Sequence, residues 1–391
     1  MSELRILQLI PSLAKGGAER MVLNICNELR RYPDVEVLLV VLHPENDYQE
    51  ESSALNVVVC TASVQPSITG KWHIHTKDYE AIIKDFKPHI IHSHLFEAEL
   101  LSRYKTHPDI QYFSHFHGNM PQLAPFSILA LMRSPKASLI ALYEKNKMIS
   151  LYNRAMNHFI AVSEDTRAYI RKALPPGLSQ HLSLLPNAIN LERFSGETRK
   201  KTGKPLQLLA VGSLLANKNH TFLIKVAKRL KETNTHFILK IAGEGPERKN
   251  LQRQIDEEDL LQYIQLPGAV NRIENLYREA DILLHTALYE SFGLVLVEAM
   301  ACGLPVICLD GKGNRDIVEN GKNGFILSDS NAELFTEKIL LLAKDSRLYA
   351  EMSTNAMLAA HQYDIRLYVE KLIALYRSKL PVKTAHNSSL H

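Results

Sequence analysis

Short apolar runs alternate with amphipathic stretches through this chain, and the alternation breaks once. The first series holds Leu4–Ile10, Glu36–Leu42, Asn56–Cys60, His89–His94, Ile110–Gly118 and His158–Ser163. Glu36–Leu42 has the length and continuous apolar character of a strand buried on both faces, and the other runs continue the series. Amphipathic helices are predicted between several of them, the first over Ala18–Arg31 with Met21, Val22, Ile25 and Leu29 on one face. The polar, basic and turn-rich segment Ser183–Pro205 ends the series. A second one follows, with strands at Leu206–Ser213, His236–Gly243, Tyr263–Ala269, Asp281–Ala287 and Pro305–Leu309. Parallel strands joined by helical crossovers give an α/β, doubly wound sheet, here built twice. The expected division is 1–190 and 191–365, then a helix at 366–380 packing back on the first domain, then a disordered tail at 381–391.

The chain has 391 residues, long enough for two domains. Lys and Arg number 46 against 42 acids, a net charge of +4, which gives no strongly basic face for nucleic acid. Cys26, Cys60, Cys302 and Cys308 are scattered without metal-ligand spacing and read as small buried hydrophobes in a reducing compartment. With no long apolar span and no signal-peptide pattern, a cytoplasmic location is expected. Neither series opens with GxGxxG, and GxxxxGK[ST] is absent, which argues against a dinucleotide dehydrogenase and a P-loop NTPase.

The segment His285–Ile307 carries Glu290 and Glu298 on either side of an apolar run. Glu290 falls in the loop after a predicted strand, at the sheet edge where open α/β folds bind ligands. A helix is predicted over Gly293–Gly303, entered at Ser291 or its neighbours, so the amides of Phe292, Gly293 and Leu294 would be donors for a phosphate. Glu298, about two turns on, would turn towards the same ligand. Carboxylates accept bidentately from vicinal hydroxyls. Two of them flanking a diphosphate site match the layout of a nucleotide-sugar.

Several further pieces follow in order: Gly16–Gly17 after the first strand, His117–Gly118, Ala161–Glu164, Pro186–Asn190, Val211–Asn219, Ala242–Arg248 and Ile317–Ile326. With Glu290–Glu298 they resemble the retaining GT-B glycosyltransferases of sequence family 4, from residue 4 to about 380. The resemblance implies two Rossmann-like domains facing across a cleft. It implies transfer of a hexose from a UDP- or GDP-sugar to a glycan acceptor hydroxyl, without cofactor or bound metal. On that basis Glu290 binds the donor's sugar hydroxyls, Glu298 its ribose, and Lys218 the diphosphate. Gly16 and Gly17 approach the phosphates from the opposite domain. His117 faces the reacting sugar, Gly243 and Gly245 shape the turn near the base, and Asn314 or Arg315 borders the sugar.

The sequence departs from the family at Ser213, where an arginine is usual, and at Asp316, where a glutamate is frequent. Arg315 is the candidate to replace the missing cation. Two rivals stay open, a nucleotide-sugar epimerase and a catalytically weak nucleotide-sugar-binding protein. His92 with His94 and His115 with His117 invite a metal reading, but no metal site is expected; His115 is expected to point away from the cleft. Met132–Arg154 carries Arg133, Lys136, Lys145, Lys147 and Arg154 against one acid, Glu144, with Leu139, Leu142, Tyr143 and Ile149 on a common face. It reads as a helix able to meet an anionic membrane. The family resemblance adds a lipid-linked acceptor at the inner face of a bacterial plasma membrane, in surface polysaccharide synthesis.

Overall fold

The computed structural model of the chain describes residues 3–65, 73–125, 132–196 and 205–381. Two parallel sheets dominate it. The first has seven strands: β1 Leu4–Ile10, β2 Val35–Val41, β3 Val57–Val59, β6 Ile90–His94, β7 Gln111–Phe116, β8 His158–Ala161 and β9 Leu182–Leu184. Their order is β3-β2-β1-β6-β7-β8-β9. The second has β10 Leu206–Val211, β11 Phe237–Ala242, β12 Ile264–Gly268, β13 Ile282–His285, β14 Val306–Leu309 and β15 Gly324–Leu327, in the order β12-β11-β10-β13-β14-β15. In each sheet the first strand lies inside and the chain winds outward on both sides of it. That leaves a crevice at the carboxyl edge, where the order reverses.

An antiparallel hairpin, β4 Ser63–Gln65 with β5 His73–His75, interrupts the first lobe; no apolar run announces it. The break foreseen at Ser183 falls later, because Ser183 and Leu184 still pair with Ile160 and Ala161. Residues 197–204, within the predicted linker, and 382–391, nearly all of the predicted tail, lie outside the described residues.

The last helix, Ile365–Lys379, buries Ile365, Tyr368, Val369, Leu372, Ile373 and Tyr376. Their spacing keeps one stripe facing inward. That stripe packs with Leu4, Ile6, Met21, Ile25, Phe113 and Ile160 of the first lobe. Each such side chain contributes roughly 1.5–3 kcal/mol on burial. Where the chain crosses between lobes, its two passages are tied together: Ile189 N donates to Tyr363 O (2.9 Å) and Ile365 N to Ile189 O (2.9 Å).

The basic stretch forms one helix, Pro135–Ala155, but only Met148, Leu151, Tyr152 and Ala155 are buried. Its first half stands away from the lobe, with Leu139 60% and Leu142 37% exposed, and Met132 just ahead of it 76% exposed.

Candidate functional site

The loops after β10 and β13 build one side of the cleft. After β10 the chain passes Ser213, makes a 3-10 turn over Ala216–Lys218, and enters the helix His220–Glu232. The turn is tied to the loop after β13: Thr286 Oγ1 donates to Lys218 O (3.0 Å) and Leu288 N to Asn217 O (3.0 Å). Glu290 is fixed by its backbone, with its N donating to Gly311 O (2.8 Å) and its O accepting from Gly313 N (3.0 Å). These bonds bring together side chains 72 residues apart. Lys218 Nζ donates to Glu290 Oε2 at 2.6 Å. His285 Nε2 lies 3.3 Å from the same oxygen, off hydrogen-bond geometry. Burial pushes the Glu290 carboxyl up, but His285 and Lys218 outweigh it and hold the pKa at about 2. Glu290 is thus an anion across the neutral range, paired with the ammonium of Lys218.

The helix over the second glutamate runs Leu294–Ala301, inside the Gly293–Gly303 span read from the sequence. Gly293 takes φ 94°, a left-handed conformation that suits glycine, and turns the chain before the first helical amides. A Cβ there would lie 2.9 Å from Asn314 Oδ1, so side chains larger than hydrogen are excluded twice over. Phe292 is buried beneath, edge-on to Tyr363 at 5.5 Å. Glu298 is buried and accepts from Tyr277 Oη at 2.8 Å. Burial raises its pKa, and the charges of Arg20 and Arg193 oppose that shift. Tyr277 and Arg20 are partners that the Glu-x7-Glu spacing does not reveal.

From the other lobe, Gly16 and Gly17 open the helix Gly17–Leu29. A Cβ on Gly17 would sit 3.8 Å from Leu294 Cδ1, so the glycine pair faces the helix start that follows Glu290. Two helix N-termini therefore look across the cleft at each other, an arrangement that favours an anion between them. The carboxylate of Glu19 lies over Gly16, and burial raises its pKa. The sequence reading missed it, although an acid in the first turn of a helix is a known signal. A Cβ on Gly118 would meet Ser291 Oγ at 2.5 Å. The lobes also touch where Asp316 Oδ2 accepts from Glu164 N (2.7 Å) and where Tyr289 Oη donates to Asp165 Oδ2 (3.3 Å). Asp316 thus caps a helix of the opposite lobe.

Gly243 and Gly245 serve close packing of two loops: a Cβ on either would strike the carbonyl oxygen of Gly212 or Leu214. Asn314 is fully buried and donates from Nδ2 to Leu309 O (2.8 Å), so it braces the loop behind Glu290. Arg315, the candidate to replace the missing arginine, is paired with a carboxylate of its own loop. Its Nε donates to Asp310 Oδ1 at 2.7 Å, its Nη2 pairs with Oδ2, and the side chain is 66% exposed. Ser213 itself is exposed.

His117 follows β7 and borders the close approach of Gly118 to Ser291. Its Nε2 lies 2.9 Å from His94 Nδ1, and burial lowers its pKa to about 3. His115 does not turn away. It lies on the same face, stacked on His117 with centroids 4.2 Å apart, because alternate strand residues share a side. Nitrogens of His92, His94 and His115 fall within 4.8 Å of one another, enough to ask whether they could hold a metal. The rings of His92 and His115 are stacked 10° from parallel, so their lone pairs do not converge on one ion. Both nitrogens of His94 are already engaged, with His117 and Gln8.

Comparison with known proteins meets this geometry. The model of Glycosyltransferase Family 4 matches residues 15–193, and that of Glycosyl transferases group 1 matches 193–358. The chain belongs to the family 4 glycosyltransferases of GT-B fold. An uncharacterized glycosyltransferase of Haemophilus influenzae is 32% identical over 168 residues, 42% of this chain and 47% of that one. The putative glycosyltransferase EpsD of Bacillus subtilis is 24% identical over 80% of this chain and 82% of its own. HepE of Anabaena, solved with UDP and glucose, superposes with a TM-score of 0.75 at 19% identity, covering 97% of this chain and 100% of that one. In this glycosyltransferase the seam between the two family models falls at Arg193. That residue donates from Nε to Glu274 (3.1 Å) in the second lobe and from Nη1 to Glu51 (3.2 Å) in the first. No helix among the described residues is long and apolar enough to cross a membrane.

Proposed function

We propose that this glycosyltransferase moves a hexose from a UDP- or GDP-sugar to a hydroxyl of a glycan acceptor, with retention and without a bound metal. The Lys218–Glu290 pair between facing helix N-termini carries the reading. A diphosphate entering there draws Lys218 away from Glu290, and the released carboxylate accepts the sugar's hydroxyls. Lys218 then opposes the charge that grows on the departing diphosphate, the kind of interaction that contributes most to such catalysis. Glu298, with Tyr277 on one oxygen, holds the ribose. The departing diphosphate takes the acceptor's proton on the face it leaves, which keeps the configuration. HepE binds UDP, so UDP-hexoses are the first donors to try. Incubation with UDP- and GDP-sugars, followed by NMR of the anomeric proton of the product, tests the reading. Inversion of configuration overturns retention. Interconversion of donor sugars identifies an epimerase, and binding without turnover a binding protein. Full activity in chelator leaves the metal-independent reading standing, and loss restored by a divalent ion ends it.

The acceptor is proposed to be lipid-linked, at the inner face of a plasma membrane, in bacterial surface polysaccharide synthesis. The outstanding first half of the helix Pro135–Ala155 supports this: Arg133 and Lys136 are exposed beside the apolar Met132, Leu139 and Leu142. Lys145 and Lys147 are half-buried, and Lys145 donates to Ala124 O (3.3 Å), so the first two cations are the better test. Each basic residue near an anionic surface contributes about 1 kcal/mol, and salt screens it. Arg133→Gln with Lys136→Gln is expected to weaken sedimentation with anionic vesicles by about thirtyfold at low salt and to leave donor hydrolysis intact. A wild-type protein that ignores those vesicles calls for a soluble acceptor.

A further inference from the structure

Behind His117, in the first lobe, Gln8, His92, His94 and His115 are buried together with Tyr376 of the last helix. Their contacts form a chain whose protons can be placed one after another. Gln8 Nε2 donates to Tyr376 Oη at 3.2 Å. The single proton of Tyr376 is then left for His92 Nδ1, 2.6 Å away. That orients the amide, so Gln8 Oε1 faces His94 Nε2 at 2.8 Å. An amide oxygen only accepts, so His94 carries its proton on Nε2. Burial keeps the imidazoles neutral, each with one N–H and one lone pair. His94 Nδ1 is therefore the lone pair, and the proton in the 2.9 Å contact sits on His117 Nε2. His117 Nδ1 is left bare, buried and without a partner among the described residues.

We propose that Gln8 and His94, with Tyr376 setting the amide, are positioning residues that hold His117 in the Nε2-protonated tautomer, so that its bare Nδ1 accepts a hydroxyl of the bound sugar. This rests on the reading of His117 as a residue facing the donor sugar. The partners lie far apart in sequence: Gln8 is 86 residues from His94 and 368 from Tyr376. The last helix, which ends a chain that has already built the second lobe, thereby reaches the reacting side of the first.

The test is ¹⁵N NMR of the histidine-labelled full chain, with the His117 signals identified by their loss in His117→Gln. A protonated Nε2 and unprotonated Nδ1 on His117 are expected in the wild type. The opposite tautomer overturns the proposal. Gln8→Leu and Tyr376→Phe are expected to mix the His117 tautomers and to lower kcat about tenfold with the donor KM within about twofold. Variants that keep both tautomer and kcat overturn it too. If either variant fails to fold, the wild-type spectrum still decides the tautomer. Full turnover in His117→Ala, whatever the spectrum, brings down the underlying reading of His117 instead.

Discussion

The two lobes share a topology and differ in what their central strands carry. In the second lobe β10, β13 and β14 are apolar almost throughout, and the buried polar residues Asp281, His285 and Thr286 gather at the ends of β13. In the first lobe β6 and β7 bury His92, Ser93, His94, Ser114 and His115. Both faces of that sheet are involved. The histidines meet Tyr376 on one side. On the other, Ser93 and Ser114 meet the fully buried Arg103, which also donates to Asn157 Oδ1 (2.8 Å) and Phe113 O (2.7 Å) and faces Glu99 at 3.7 Å. The candidate site residues of both lobes thus stand beyond the strands. The first lobe also carries polar groups inside its sheet, and several of them find partners only in distant parts of the chain.

The largest effect that would test this contrast is on stability. Arg103→Met leaves the Glu99 carboxyl buried beside Ser114 without its cation, and a loss of about 3–5 kcal/mol is expected in urea unfolding. Adding Glu99→Leu should recover most of it. A cost below about 1 kcal/mol would show that the first lobe's polar interior contributes no more to stability than a surface pair.

In the second lobe, Lys218→Ala and Glu290→Gln should each lower turnover by at least about tenfold, roughly 1.4 kcal/mol of transition-state stabilisation, without unfolding the protein. The same pair makes a pH-dependent contribution to stability. The Glu290 carboxyl is held at about 2 in the folded chain against an ordinary 4.5. Its stabilising contribution is therefore complete above about pH 4.5 and fades as the pH falls towards 2. Glu290→Gln should remove that part of the acid sensitivity. Near-normal turnover in Lys218→Ala would show that its pair with Glu290 does not serve the reaction.

At the join, Gly118→Ala places a methyl 2.5 Å from Ser291 Oγ. A several-fold fall in activity is expected, restored by Ser291→Gly in the same chain, because the obstacle lies across the cleft. Without that rescue, Gly118 matters for its own lobe's backbone. The smallest effect concerns Ser213→Arg: donor affinity should rise slightly or stay level. A sharp loss would show that another group already fills that position.

What was legible follows the same contrast. Two doubly wound sheets could be read from buried apolar runs and amphipathic spacing, because those patterns reflect local burial along a strand or around a helix. The Glu290–Glu298 segment was also visible, since a strand, a loop and a helix N-terminus lie within a few turns of one another. The pairing of Arg315 with its neighbour Asp310 was not legible, because it depends on the shape of one 3-10 turn. The left-handed turn at Gly293, just ahead of the helix start, was not legible either, because an apolar run does not mark it.

The amino-acid order alone therefore determined the elements and their parallel winding, set by short-range sterics and hydrophobic period. Tertiary structure decided which polar side chains meet: Lys218 with Glu290, Tyr277 with Glu298, Arg103 with Asn157, and Tyr376 with His92 and Gln8. A hydrogen bond depends on contact distance and angle, and those are fixed only once separate strands and helices have packed.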